Sequence, residues 1–182
     1  MRVIAGKARG IQLQTPRGML TRPTTDRVKE ALFSILQFEL PGAKVLDLFG
    51  GTGQLGIEAL SRGASRAVFV DSRREACQLI RSNLKKTHLE QDAMVIQRDY
   101  TDYLNQCHEQ FRLILLDPPY AEVFLENSIK RITEIDILQS NGIIATERPL
   151  GKELPWEFPG FTRSKDYKYG QILLTFYRKN EE

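Results

Sequence analysis

Cysteine and histidine are scarce: the 182 residues hold two of each, Cys77, Cys107, His88 and His108. The two cysteines fall in separate expected helices, which argues against a disulfide framework and for two inert, buried thiols in a reducing compartment. Neither histidine has a second His or Cys at ligand spacing, so no metal is expected. No apolar run approaches the roughly 18 residues of a membrane span, and the opening MRVIAGKARG has no signal-peptide core. A cytoplasmic protein without a membrane partner is the expectation. There is also no internal repeat, low-complexity tract or long linker, so a single main domain is expected, burying about 70% of the surface of its unfolded chain.

The net charge is a modest +3 but is unevenly spread. Residues 1–30 carry Arg2, Lys7, Arg9, Arg17, Arg22, Arg27 and Lys29 against Asp26 and Glu30, an excess of +5 that leaves −2 for the rest of the chain. RVIAGKARGIQLQ alternates apolar and polar residues around Gly6 and Gly10, the pattern of a short hairpin. Residues 1–20 are therefore expected to form a basic N-terminal hairpin extension, and 21–182 a single α/β domain. A cationic arm on a nearly neutral body suits a polyanion, because each neutralised phosphate releases counterions. A solvated, charged strand pair is the plain alternative.

Past the arm, TTDRVKEALFSILQFEL places Val28, Leu32, Ile35 and Leu36 at helical spacing, with Thr24, Thr25 or Asp26 as N-cap and Pro41-Gly42 as the stop. Strand and helix patterns then alternate: AKVLDLF, RAVFVD, AMVIQ, FRLILLD and GIIATE read as strands separated by helices. FTRSKDYKYGQILLTFYR alternates and turns near residues 168–170, an antiparallel hairpin. The expected fold is a Rossmann-like doubly wound sheet, mostly parallel, closed by this hairpin. Its ligands should lie beyond the carboxyl ends of the strands at a topological switch point.

Unusual residues gather at those ends. The first strand runs into Gly51-x-Gly53-x-x-Gly56, with Gly50 beside it, where bare backbone lets a ligand approach. Alone, this pattern fits a dinucleotide site or mere helix–strand packing. Asp47 faces a pyrophosphate poorly and suits a cationic ligand such as a sulfonium amino acid. The second strand ends at Asp71, 18 residues after Gly53, near the spacing for an acid on a ribose diol. The third ends at Asp99, a candidate acceptor for an adenine amine; both acids are equally placed to be helix N-caps. The fourth strand ends in Asp117-Pro118-Pro119-Tyr120. Two successive prolines, each without an N–H and with φ held near about −65°, stiffen the exit and leave carbonyls with no obligatory partner.

VLDLFGGTGQLGIEAL, VFVD, RD and DPPY, in this order, resemble the class I S-adenosylmethionine-dependent methyltransferases. RVIAGKARGIQL, RPTTDRVKEALFSIL, DLFGGTGQLGIEALSRGA and LDPPY resemble, more closely, the RsmD family. That resemblance spans nearly the whole chain and thins after residue 121. It implies methyl transfer to the 2-amino group of a guanine in bacterial 16S rRNA, in the small ribosomal subunit or an assembly intermediate, by a monomer. S-adenosyl-L-methionine is the implied cofactor and S-adenosyl-L-homocysteine the product. Tyr120 stands where many relatives carry phenylalanine, which keeps a stacking ring but resembles adenine-N6 enzymes.

The resemblance assigns Asp47 and the Gly50, Gly51, Thr52, Gly53, Gly56 loop to the methionine end, Asp71 to the ribose hydroxyls and Asp99 to the adenine. Phe49, Ser72 and Tyr100 stand beside them among the implied cofactor contacts. Asp117 and the Pro118 carbonyl would accept the amine hydrogens, with Pro119 holding the turn and Tyr120 stacking on a flipped base. Arg2, Lys7, Arg9, Arg17, Arg22 and Arg27 are the candidate RNA contacts. For Arg22, Thr25 and Arg27 in RPTTDR, starting the helix is the competing role; for DYKYGQ, residues 166–171, stacking on RNA competes with a solvated turn. Two rivals remain: a DNA or RNA adenine-N6 methyltransferase, and a non-catalytic RNA-binding assembly factor. The first lacks room for an inserted recognition segment, and the second leaves the carboxylates at successive strand ends without a reason.

Overall fold

The computed structural model describes residues 1–16, 25–118 and 122–181. Helices α1 (Asp26–Ile35), α2 (Gln54–Ser61), α3 (Arg74–Thr87), α4 (Tyr100–Gln106) and α5 (Glu122–Ile135) alternate with strands β1 (Lys44–Asp47), β2 (Arg66–Asp71), β3 (Ala93–Gln97), β4 (Phe111–Leu116) and β5 (Leu138–Pro149). The chain ends in β6 (Glu157–Phe158), β7 (Phe161–Arg163), β8 (Tyr167–Tyr169) and β9 (Ile172–Lys179). The sheet order is β3-β2-β1-β4-β5-β9-β7-β6, with β8 paired to β9. β1 to β5 are parallel, and β9 enters antiparallel beside β5. The strand order therefore reverses between β1 and β4, the switch point at which a doubly wound sheet opens its crevice.

The apolar runs of β1, β2 and β4 are buried on both faces, as continuous rather than alternating hydrophobicity requires. One face packs against α1, α2, α3 and the N-terminal segment, the other against α4 and α5. Residues 113, 115, 143 and 145 lie on the first face; 114, 116 and 144 lie on the second.

Thr25 is the N-cap of α1, its Oγ1 accepting the Val28 N–H at 3.3 Å. The helix ends at Ile35, short of the pattern that extended to Leu40, and Glu39 in the turn beyond it pairs with Arg112 and Arg178. Cys77 is buried in α3, whereas Cys107 is only partly buried and follows α4 rather than lying within it. β5 is longer than GIIATE, since Leu138 pairs with Phe111 before a register shift and Ile143 pairs with Leu113 after it.

The N-terminal segment is built into the body of the protein. Arg2 bridges Gln12 in antiparallel fashion, and Val3, Ala8 and Leu13 are buried in the main core. Glu58 of α2, fully buried, accepts the N–H groups of Ile4 at 2.8 Å and Ala5 at 3.0 Å. Its charge is met by Arg62 at 2.7 Å and by buried Lys29 at 3.7 Å, and Lys29 also donates to the Arg2 carbonyl. Gly6 has φ +83°, and a Cβ there would fall 1.8 Å from the Ser61 carbonyl oxygen, so glycine alone permits this approach.

Candidate active site

The loop after β1 is shaped by its glycines and two aspartates. Gly51 and Gly53 have φ of +55° and +80°, which side chains resist, and a Cβ on Gly56 would lie 2.2 Å from the Phe69 ring. The Gly56 N–H donates to Asp47 Oδ2 at 3.0 Å, tying α2 to the end of β1. Asp47 is 1% exposed, and burial pushes its carboxyl up to about 8, with the nearby Asp117 and Asp71 charges adding to the rise. Asp47 thus underlies the loop, joined to it through the Gly56 N–H. The half-buried Thr52 presents its carbonyl to the Asn83 amide at 2.9 Å.

Asp71 ends β2 and accepts the Gly51 N–H at 2.9 Å. It is also gripped by Arg73, through the backbone N–H at 2.9 Å and the guanidinium at 3.1 and 3.2 Å. Ser72 is exposed between them. Asp99 is the N-cap of α4: its Oδ1 accepts the Thr101 N–H at 2.8 Å and the Thr101 hydroxyl, and those bonds hold its carboxyl below the usual range. The Tyr100 ring lies 5.2 Å from Phe49 and meets Phe124 edge-on at 5.8 Å. Phe124 has no signature in the sequence; it sits at ordinary helical spacing on α5, and only the fold brings it to Tyr100.

Asp117 and Pro118 lie half-buried at the end of β4, and Pro119 and Tyr120 fall outside the described residues. Burial, and next the Glu147 carboxylate, push Asp117 up to about 7. Glu147 carries no signal in the sequence that marks it as a site residue. The final pairing of β4 with β5 is Leu116 with Thr146, so Asp117 and Glu147 are the next residues out on adjacent strands. Asp71, Asp47 and Asp117 thus stand at the carboxyl ends of three neighbouring strands, β2-β1-β4, with Glu147 on β5 next to them. Among the described residues, no cluster of three or more His, Cys, Asp or Glu is arranged to hold a metal ion.

The basic residues divide into groups. Arg2 pairs with Asp26 at 2.9 Å and Lys7 with Asp92 at 3.9 Å, all well exposed; Arg9 and Arg27 are exposed as well. Arg17 and Arg22 lie outside the described residues. Asn83 holds the segment that leads towards them against the glycine loop, since its Oδ1 accepts the Gln14 N–H at 2.7 Å and its Nδ2 donates to the Gln14 and Thr52 carbonyls. In the C-terminal hairpin, Asp166 is a structural anchor, pairing with buried Arg148 and Arg163 at 2.6 Å and accepting the Thr175 hydroxyl at 2.8 Å. Tyr167 packs edge-on against Phe176, which leaves exposed Lys168 and half-buried Tyr169 at the turn.

Comparison with known proteins agrees with this geometry. The family profile "Conserved hypothetical protein 95" matches residues 1–178. A Bacillus subtilis protein described as "Putative rRNA methyltransferase YlbH" is 39% identical, over 98% of this chain and 99% of its own. The ribosomal RNA small subunit methyltransferase D of Escherichia coli K12 is 31% identical over the whole chain and 91% of its own length. The solved structure of the Escherichia coli methyltransferase-like protein yhhF superposes with a TM-score of 0.89 at 30% identity, covering 98% of this chain and 97% of that one. The match over nearly the full length, with the fold and the aspartates at its strand ends, places the chain in the Conserved hypothetical protein 95 family, that of the RsmD methyltransferases.

Proposed function

We propose that this protein transfers a methyl group from S-adenosyl-L-methionine to the 2-amino group of a guanine in 16S rRNA, acting as a monomer on the small ribosomal subunit or an assembly intermediate. The observation that carries the proposal is the position of Asp117-Pro118, at the end of the strand adjoining the glycine loop across the switch point.

The donor set fits the cofactor. Bare backbone at Gly51 and Gly53 offers close approach, the buried Asp47 carboxyl, neutral below about pH 8 on its own, would ionise more readily beside a cationic group, Asp71 suits a ribose diol, and Asp99 with the Phe49–Tyr100 ring pair suits an adenine. When bound, S-adenosylmethionine supplies an electrophilic methyl group. The chain's own task is to prepare the nucleophile. A guanine 2-amino group is weakly nucleophilic because its lone pair is delocalised into the ring. The Asp117 carboxylate and Pro118 carbonyl, each accepting one amine hydrogen, favour a pyramidal nitrogen with its lone pair directed outward. Rigid acceptors need no reorganisation, so positioning and electrostatics supply the acceleration without a titrating histidine.

Tritiated methyl transfer to small subunits from a strain lacking the gene, compared with duplex DNA, tests the proposal. Methyl-2-guanosine in 16S rRNA is the expected product. Transfer to adenine or to DNA alone, or no transfer together with no cofactor binding, would overturn it.

A further inference from the structure

Glu147 extends the site described above by one strand. It follows Thr146, the β5 partner of Leu116, and so lies beside Asp117 where β4 ends and β5 runs on next to β9. Side chains alternate along both strands: Leu113, Leu115, Ile143 and Ala145 share one face, which puts Asp117 and Glu147 on that face together. Arg148 turns the other way, towards Thr175 and Asp166. Across β9, Glu147 is in register with Leu174, and Leu174 with Tyr167, so half-buried aromatic and apolar surface borders the carboxylate. The field of Glu147 reaches Asp117, consistent with their closeness.

Two neighbouring carboxylates beyond the switch point suit a substrate edge with neighbouring donors. Guanine presents one, since its ring N1–H lies beside its 2-amino group. Adenine presents a ring acceptor next to its exocyclic amine, which a carboxylate repels. Enzymes that act on extruded bases read this edge by hydrogen bonds. We propose that Glu147 is the guanine-selecting residue of this site, its carboxylate accepting the ring N1–H while Asp117 and the Pro118 carbonyl hold the 2-amino group. The assignment rests on the guanine-N2 activity proposed above. Glu147 thereby separates a guanine-N2 enzyme from an adenine-N6 enzyme that shares the DPPY turn.

The test uses small subunits reconstituted with 16S rRNA that carries either guanine or 2-aminopurine at the nucleotide the wild-type protein methylates. 2-Aminopurine keeps the 2-amino group but offers a ring acceptor at N1. Wild type should prefer guanine by about 100-fold or more in kcat/KM, because a carboxylate set against the N1 lone pair of 2-aminopurine is repelled. Glu147→Gln should lose roughly 10- to 100-fold on guanine. Its amide can donate to N1 of 2-aminopurine, so the preference should fall by at least about tenfold, a change that loss of stability alone does not produce. An unchanged preference in Glu147→Gln overturns the inference. So does wild-type turnover of 2-aminopurine within about threefold of guanine, a measurement that needs no variant. Wild type that fails to methylate guanine at all would instead overturn the parent proposal, so the two failures are distinct.

Discussion

Asp71, at the end of β2, accepts the Gly51 N–H of the loop after β1 at 2.9 Å, so the candidate ribose acid also fixes the shape of the glycine loop. Arg73 occupies the same carboxylate from the solvent side, with its own side chain about half exposed. Asp71→Ala is expected to weaken cofactor binding by about 1–3 kcal/mol. Arg73→Ala should leave affinity unchanged or raise it, because an exposed ion pair contributes little and its loss frees lone pairs for a diol. Calorimetry of both variants decides the matter. A loss of more than about tenfold in Arg73→Ala would make the guanidinium a cofactor ligand rather than a competitor.

Asp117→Ala should abolish turnover and leave cofactor affinity within a few-fold of the parent. In the proposed function Asp117 lies at the amine end of the site, so its contacts should strengthen in the transition state rather than on cofactor binding. Single-turnover assays beside calorimetry separate the two effects. Equal losses in both would remove Asp117 from the amine end.

Asp117 is a strong, charged acceptor only when ionised, and burial together with Glu147 raises it to about 7. Log kcat/KM on small subunits should therefore climb with pH below about 7 and level off above it. Glu147→Gln removes one source of the rise and should move the limb to lower pH, with burial retaining part of the shift. A profile flat from about pH 6 to 8 would show that the ionisation of Asp117 does not govern the reaction.

The strands β1, β2 and β4 were legible because burial on both faces leaves unbroken apolar runs, and the first four strand patterns ended visibly in aspartates. The glycine loop was legible because φ near +80° at Gly53 and the Phe69 ring over Gly56 exclude other residues. Glu147 was not legible: GIIATE reads as a plain strand, and its importance arises from a register with β4 formed across thirty residues of chain. Phe124 was hidden for the same reason. The N-terminal arm read as a charged extension because its basic residues are conspicuous. Its anchoring depends on Glu58, which looks like an ordinary helical glutamate until the fold buries it under Ile4 and Ala5.

Asp47 should make the cofactor-free protein less stable as pH rises. Its carboxyl sits near 3.8 unfolded and at about 8 folded, so the stability associated with the protonated form is complete below about 4 and is lost as pH rises through about 8. Asp47→Asn keeps an oxygen for the Gly56 N–H and cannot ionise. The gain in Tm from the substitution should be larger at pH 8.5 than at pH 5 by about 3–8 °C. The loss of cofactor affinity in Asp47→Asn relative to the parent should be larger at the higher pH, where the parent carries the charge that attracts a cation. Thermal scans that shift in parallel at both pH values would mean Asp47 is ionised throughout.

The basic arm combines two roles that substitution can separate. Val3, Ala8 and Leu13 are core residues, whereas Arg2, Lys7 and Arg9 are exposed, with Arg2 and Lys7 only loosely committed to Asp26 and Asp92. Truncating Leu13 to Ala should cost about 2–5 kcal/mol of stability without altering how salt affects RNA binding. Replacing Arg2, Lys7, Arg9 and Arg17 together with Gln should do the reverse. Exposed pairs are worth at most about 1 kcal/mol each, so the melting curve should move little. For every phosphate that is no longer neutralised, the dependence of log affinity on log salt should flatten by about 0.7 to 0.9. Cofactor binding should not change, because the substitutions leave in place the Asn83 amide that holds the glycine loop from this side. A four-site variant that binds small subunits with the parental salt slope would assign the arm to scaffolding alone. RNA recognition would then fall to the rim around Pro118 and the turn at Lys168 and Tyr169, where the same titration on a Lys168→Gln variant would show the missing slope.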